Sequence, residues 1–272
     1  MATENALLIL EGKSTEPNAI RSIVKAYQLG FNKVEVVFES DIYQLYNVFN
    51  QDKDLDVVEV LRERSEDNKK ILSPFSRDDF PQIYIFFDFE GHATGADVSK
   101  IEELLRFFDN ETERGKLYIS YPMVEAFRHL TEDFCSLESP ISLGRRYKNA
   151  VAISNSKYKS TNFSKMDSSV WNEIVLRTVK KVFLLNSNSC NPQSYQSFRD
   201  KFNQIDILDL EKNFMKTGNV SVISSLPFFI LDYLGEALYN SLLMDSVSCA
   251  DCKKSTPSIW RRIVKKIRRF FQ

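Results

Sequence analysis

The chain has 272 residues, 43% hydrophobic and 27% charged, with 8 Gly, 8 Pro and 4 Cys. These proportions exclude a disordered, collagen-like or disulfide-framed protein, and 21 Phe with 11 Tyr point to an aromatic-rich core in one large domain or two small ones. The net charge of −1 conceals a split, because residues 253–272 carry eight cations and no acid, leaving −9 on the rest.

The opening "MATENALLIL" has no basic segment, and its apolar run is too short for an export signal. With so few cysteines, this reading places the chain in a reducing cytoplasm. "ALLIL" (6–10) predicts a short buried strand. Ser14 or Thr15 can cap the helix that follows, Pro17 suits its first turn, and Ile20, Ile23, Val24 and Tyr27 form a helical stripe ended by Gly30. "KVEVVFE" (33–39) predicts a second strand, and residues 41–51 and 54–72 predict helices. "QIYIFFDFE" (82–90) is almost continuously apolar, as expected of a strand covered on both faces. A helix over 97–110 behind Asp97, a strand over 116–120 and a helix beginning at 122–130 complete an α/β pattern. Beyond about residue 140 the spacing predicts mainly helices, at 168–187, within 194–216 and within 222–244. Pro227, Asp232 and Glu236 mark the last as a buried helix rather than a membrane span.

Three of the predicted strands end at an acid or close to one. "LLIL" delivers Glu11, "YIFF" delivers Asp88 with Glu90 two residues on, and "LYIS" delivers Ser120 with Glu125 a helical turn later. In an open parallel sheet the strand carboxyl ends share one edge, where ligands bind. If these strands are neighbours, the four acids converge and each raises the pKa of the others. A cation removes that repulsion, and oxygen-only ligands suit Mg²⁺ or Mn²⁺, which assist phosphodiester displacement. Taken one at a time, an acid after a strand is more often a cap or a solvated turn than a site residue.

At these residues the sequence resembles a known family. "LLILEG" (7–12) followed by "IFFDFEG" (85–91) is similar to the Toprim domain of topoisomerases, primases and OLD-type nucleases. "EGKSTEPNAI", with Thr15, Glu16, Pro17 and Asn18, and "YISYPMVEAF", with Ser120, Pro122 and Glu125, resemble the RloB and AbiL-type proteins of phage-defence loci. The resemblance covers about residues 5–130 and implies a divalent-metal-dependent nuclease, with Glu11, Asp88 and Glu90 as catalytic and metal-holding groups and Glu125 as a further ligand or an orienting group. The sequence departs from the family in having Glu as the second acid of the pair, and in Glu16-Pro17 where many relatives carry Asp. No phosphate-binding loop of the Gly-x4-Gly-Lys-Ser/Thr kind occurs, so an ATPase partner of the kind the family uses would be a separate protein.

His92, between Gly91 and Gly95, reads as a general base, a phosphate contact or an exposed loop histidine, and His129 as structural. Cys249 and Cys252 have the spacing of half a zinc site or a redox pair. In the tail, Ile259, Trp260, Ile263, Val264, Ile267, Phe270 and Phe271 fall on one helical side, opposite Arg261, Arg262, Lys265, Lys266, Arg268 and Arg269. Such a helix lies on anionic membrane, tracks nucleic-acid phosphates, docks in a partner's groove or packs on its own domain. The expectations are a Toprim-like α/β domain over 1–145, a helical region over 146–247, and a linker with a basic helix over 248–272. The expected function is an antiviral, abortive-infection nuclease that is cytoplasmic or peripheral at the membrane, uses Mg²⁺ or Mn²⁺ on RNA or DNA, and is held inactive by a partner, with a separate ATPase or inhibitor protein and an oligomer among the expected associations. The alternative is a catalytically silent sensor or adaptor on the same scaffold.

Overall fold

A computed structural model of the chain describes residues 4–187, 189 and 191–244. Cys190, Cys249, Cys252 and the basic tail with Arg261, Arg262, Lys265, Lys266, Arg268 and Arg269 lie outside the described residues.

The first strand, β1 (Asn5–Leu10), is buried along nearly its whole length, as its unbroken apolar run requires. Helix α1 (Thr15–Tyr27) follows, buries Ala19, Ile20 and Ile23, and ends at Gln28, whose φ of 52° is left-handed; the stop comes there rather than at Gly30. After β2 (Asn32–Val37), Asp41 caps α2 (Ile42–Gln51) by accepting from the Tyr43 and Gln44 N–H groups. The long helix expected over 54–72 is two, α3 (Val57–Arg64) and α4 (Glu66–Leu72), because Ser65 turns extended and accepts from the Asn68 N–H. Then come β3 (Gln82–Asp88), α5 (Val98–Phe107) capped by Asp97, the two-residue β4 (Asp109–Asn110) and β5 (Gly115–Ser120). The helix expected from 122 is only a short 3₁₀ segment, Val124–Arg128.

The remainder is mainly helical, with α6 (Tyr147–Ile153), α7 (Ser168–Ser187), α8 (Tyr195–Lys201), α9 (Gln204–Met215) and α10 (Leu226–Met244), the last broken at Gly235. A small antiparallel pair, β6 (Glu138–Pro140) with β7 (Asn219–Ser221), was not legible in the sequence. Among the described residues no helix is long and apolar enough to cross a membrane.

The main sheet has the order β2-β1-β3-β5-β4, parallel throughout except for β4. From β1 the chain crosses outward to β2, then returns past β1 to β3 and onward to β5. The order therefore reverses between β1 and β3, which makes their carboxyl ends the switch point of the sheet. β4 is too short to cover the outer edge of β5. Three groups do so in turn: the Phe108 carbonyl accepts from Leu117, Gln204 Oε1 from Ile119 and the Ile223 carbonyl from Tyr121.

The helical half packs onto this sheet, and one hydrophobic cluster runs from Ala6 to Leu242. Trp171 of α7 donates to Ser22 Oγ of α1 at 3.1 Å, and Ser22 Oγ donates to the carbonyls of Phe163 and Met166, both at 3.1 Å. A lysine and a glutamate are fully buried in this half. Lys181 donates to the Phe134 and Leu137 carbonyls at 3.0 and 2.8 Å, and Glu211 accepts from the Ser221 N–H and hydroxyl. Burial lowers the Lys181 pKa and raises that of Glu211, and their opposite charges oppose both shifts.

Candidate active site at the carboxyl edge of the sheet

Glu11 is the first residue beyond β1. Its N–H still donates to the Phe86 carbonyl at 3.1 Å, but its own carbonyl turns aside to accept from Glu39. A parallel ladder would next send the Asp88 N–H to that carbonyl. The Glu11 side chain takes the place instead, with Oε2 accepting from the Asp88 N–H at 2.7 Å. Glu11 and Asp88, 77 positions apart, are thus brought together at the switch point.

Asp88 is 7% exposed, and its Oδ1 accepts from the Val124 N–H at 2.7 Å, which ties the end of β3 to the segment after β5. Glu125 on that segment accepts from the Thr15 hydroxyl and from Lys148 Nζ, each at 3.1 Å on Oε1. Its other oxygen, Oε2, is buried without a hydrogen-bond partner. Glu16, 8% exposed on the first turn of α1, completes the cluster. Gly12 leaves it room, since a Cβ there would lie 3.3 Å from Glu16 Oε2.

The electrostatics follow from this crowding. Burial pushes the Glu11 carboxyl up to about 8; the Asp88 N–H opposes the rise, and the charges of Glu90, Glu16 and Asp41 add to it. Burial, then the charges of Glu11, Glu16 and Glu125, hold Asp88 well above the ordinary carboxylate range. Glu16 is raised by burial and by Glu125. Burial works against the Lys148 ammonium, but Glu125, with Asp88 and Glu16 behind it, outweighs burial and raises it.

Glu90 faces the same edge from the loop after β3, and its Oε2 lies 3.1 Å from His92 Nε2. The His92 ring rests on Gly144, where an added Cβ would come within 2.7 Å of Cδ2 at a backbone φ of 47°. His92 is therefore a held side chain rather than a free loop residue. His129 is buried against the Tyr147 hydroxyl at 2.9 Å, and burial lowers its pKa to about 4. Ser120, at the end of β5, exchanges hydrogen bonds with the Ser225 hydroxyl and N–H.

Sequence reasoning missed two members of the cluster. Glu16 is legible in the sequence as part of a family motif and as a departure from the usual Asp, but not as a member of the acid cluster. Lys148 sits 23 residues beyond Glu125, on a helix with no motif of its own. The one legible signal was the absence of acids around it.

The donors are hard oxygens of the kind Mg²⁺ takes, and one buried carboxylate oxygen lacks a partner. Among the described residues, however, no group of three or more His, Cys, Asp or Glu side chains has the arrangement of a metal cage. Mg²⁺ usually keeps several waters and binds through one or two carboxylates plus substrate phosphates, so a pair such as Glu11 and Asp88 fits its habit. A cavity of about 620 Å³ lies elsewhere, between α5, the start of β5, α8, α9 and α10, and none of the clustered acids lines it.

Comparison with family models, with curated proteins and with solved structures finds no match for this chain.

Proposed function

We propose that the protein is a divalent-metal-dependent phosphodiester hydrolase of the Toprim kind, acting on RNA or DNA as a defence effector. One observation carries the reading. Glu11 and Asp88, both strained toward protonation, meet at the switch point of a parallel sheet, where α/β folds bind ligands. Clustering acids there is unfavourable for the bare protein and becomes favourable with a cation present.

Glu11 and Asp88 would hold Mg²⁺ or Mn²⁺, with Glu16 and Glu125 flanking them. A bound ion would neutralise the acids and activate a water for attack on a phosphodiester. Glu11, whose carboxyl titrates near neutral pH, is suited to giving or taking a proton during the reaction. Lys148 offers a cation to a phosphate oxygen while holding Glu125 in place. Glu90 orients His92, which can take up the proton of an attacking group. An effector of this kind needs restraint in a healthy cell, so a separate ATPase or inhibitor protein belongs to the proposal.

A second reading is a catalytically silent binding module, favoured by the absence of a three-ligand cage among the described residues. One experiment separates the two. Purified protein with Mg²⁺ or Mn²⁺ is incubated with supercoiled plasmid and with tRNA. Cleavage by the wild type, abolished in Glu11→Ala, supports the hydrolase. No cleavage by the wild type, or equal cleavage by Glu11→Ala, assigns the scaffold to binding alone.

A further inference from the structure

Between Ser139 and Met166 the chain carries six cations, Arg145, Arg146, Lys148, Lys157, Lys159 and Lys165, and no acid. All six are exposed. Apart from this run and the basic tail over 253–272, the chain is strongly acidic, with 22 cations against 37 acids.

Its course over the surface is fixed at four points. Gly144 packs against the His92 ring. Lys148 reaches Glu125. Ser156 Oγ donates to the Arg128 carbonyl at 2.5 Å. The carbonyls of Phe163 and Met166 accept from Ser22, seven residues and about 10 Å along α1 from Thr15. The segment therefore starts at the acid cluster and runs away from it beside α1.

The nearby acids neutralise only part of this charge. Lys148 is taken by Glu125 and Lys157 by Glu173, at 3.1 and 2.7 Å. Among the described residues, Arg145, Arg146, Lys159 and Lys165 have no acidic partner. Arg146 and Lys159 bond instead to carbonyls, those of Leu143 and Ser142 for the former and of Ser154 for the latter.

We infer that residues 141–165 form a track for the sugar-phosphate backbone of a nucleic acid, leading one phosphate to the acid cluster. The inference rests on the proposed hydrolase reading for what happens at the end of the track, but not for the binding itself. Anionic lipid is the poorer fit, because membrane-lying segments need apolar side chains beside their cations. Here the exposed neighbours are Ser, Asn and Ala, with Ile153 the one large apolar side chain in the stretch that is substantially exposed. Phosphate contacts made by separate lysines and arginines confer affinity without base reading and weaken steeply with salt.

The test uses the full chain carrying Glu11→Ala, in EDTA, so that hydrolysis plays no part. Binding of labelled duplex DNA and of tRNA is measured by anisotropy across a salt series. It is then repeated with Arg145→Ala, Lys159→Ala and Lys165→Ala added together. The tail is present in both proteins, so its contribution cancels. With about 0.9 released counterions per phosphate contact on a duplex, the log–log slope should fall by about 2 to 3. An unchanged slope overturns the track, as does a loss seen only with phosphatidylserine vesicles. If the triple variant unfolds at a lower temperature, Lys165→Ala alone should still reduce the slope by about 1, and failure to do so counts against the proposal. If the wild type with Mg²⁺ never cleaves while the slope falls as stated, the hydrolase reading fails and the track stands.

Discussion

Replacing Glu11 by Gln should make the metal-free protein more stable, and increasingly so as pH rises. Gln keeps an oxygen to accept from the Asp88 N–H, which lies 2.7 Å from Glu11 Oε2, and removes the charge. In the unfolded chain the Glu11 carboxyl titrates near 4.5; in the folded protein it titrates near 8. The folded state therefore keeps its proton longer. The wild type loses stability as pH climbs from about 4.5 to about 8, and the loss levels off above that. At about 1.4 kcal/mol per pH unit the ceiling is roughly 5 kcal/mol. A neutral amide accepts a weaker hydrogen bond than a carboxylate, which returns about 1 kcal/mol, and water entry relaxes part of the remainder. The expected net gain for Glu11→Gln is about 2 to 4 kcal/mol at pH 8 to 9 and under about 1 kcal/mol at pH 5. Urea unfolding followed by circular dichroism in EDTA, at steps between pH 5 and 9, measures it. Adding millimolar Mg²⁺ should stabilise the wild type and leave the variant nearly unchanged, closing the gap. A gap that does not vary with pH, or a variant less stable at every pH, would refute the claim that this carboxyl is strained toward protonation.

Three further outcomes follow from the same geometry. Lys148→Met should weaken the fold by about 1 kcal/mol near pH 8, since the amine is half exposed and screened, and thermal unfolding measures the lowered midpoint. Gly144→Ala places a Cβ 2.7 Å from the His92 ring at a left-handed φ, so it should destabilise by about 1 to 3 kcal/mol and free the imidazole from Glu90, seen as displaced His92 ring resonances in NMR. Lys181→Ala strands the Phe134 and Leu137 carbonyls and leaves Glu211 without a compensating charge, with a loss of about 3 to 5 kcal/mol by urea unfolding; the simultaneous Glu211→Gln should recover part of it.

Several elements were legible because their signals are local. The apolar runs of β1 and β3 announce strands covered on both faces, and the α/β alternation of the first 120 residues follows from period and punctuation alone. Asp97 before α5 and Pro17 in the first turn of α1 acted as their types dictate. Where the local signal misled, the backbone chose another exit. Gln28 rather than Gly30 took the left-handed stop of α1, and Ser65 split an uninterrupted helical pattern in two.

The amino-acid order alone determined that Glu11, Asp88 and Glu125 would each stand at or beyond the end of a strand, and that the stretch around Lys148 would be purely basic. Only the tertiary structure decided that β1 and β3 are neighbours, because strand order depends on which crossovers bury the most apolar surface, and no residue encodes that locally. It also decided that Glu16 and Lys148 join the cluster. Electrostatic coupling acts through space, so a helix formed more than a hundred residues after Glu16 delivers the cation that faces Glu125, Asp88 and Glu16.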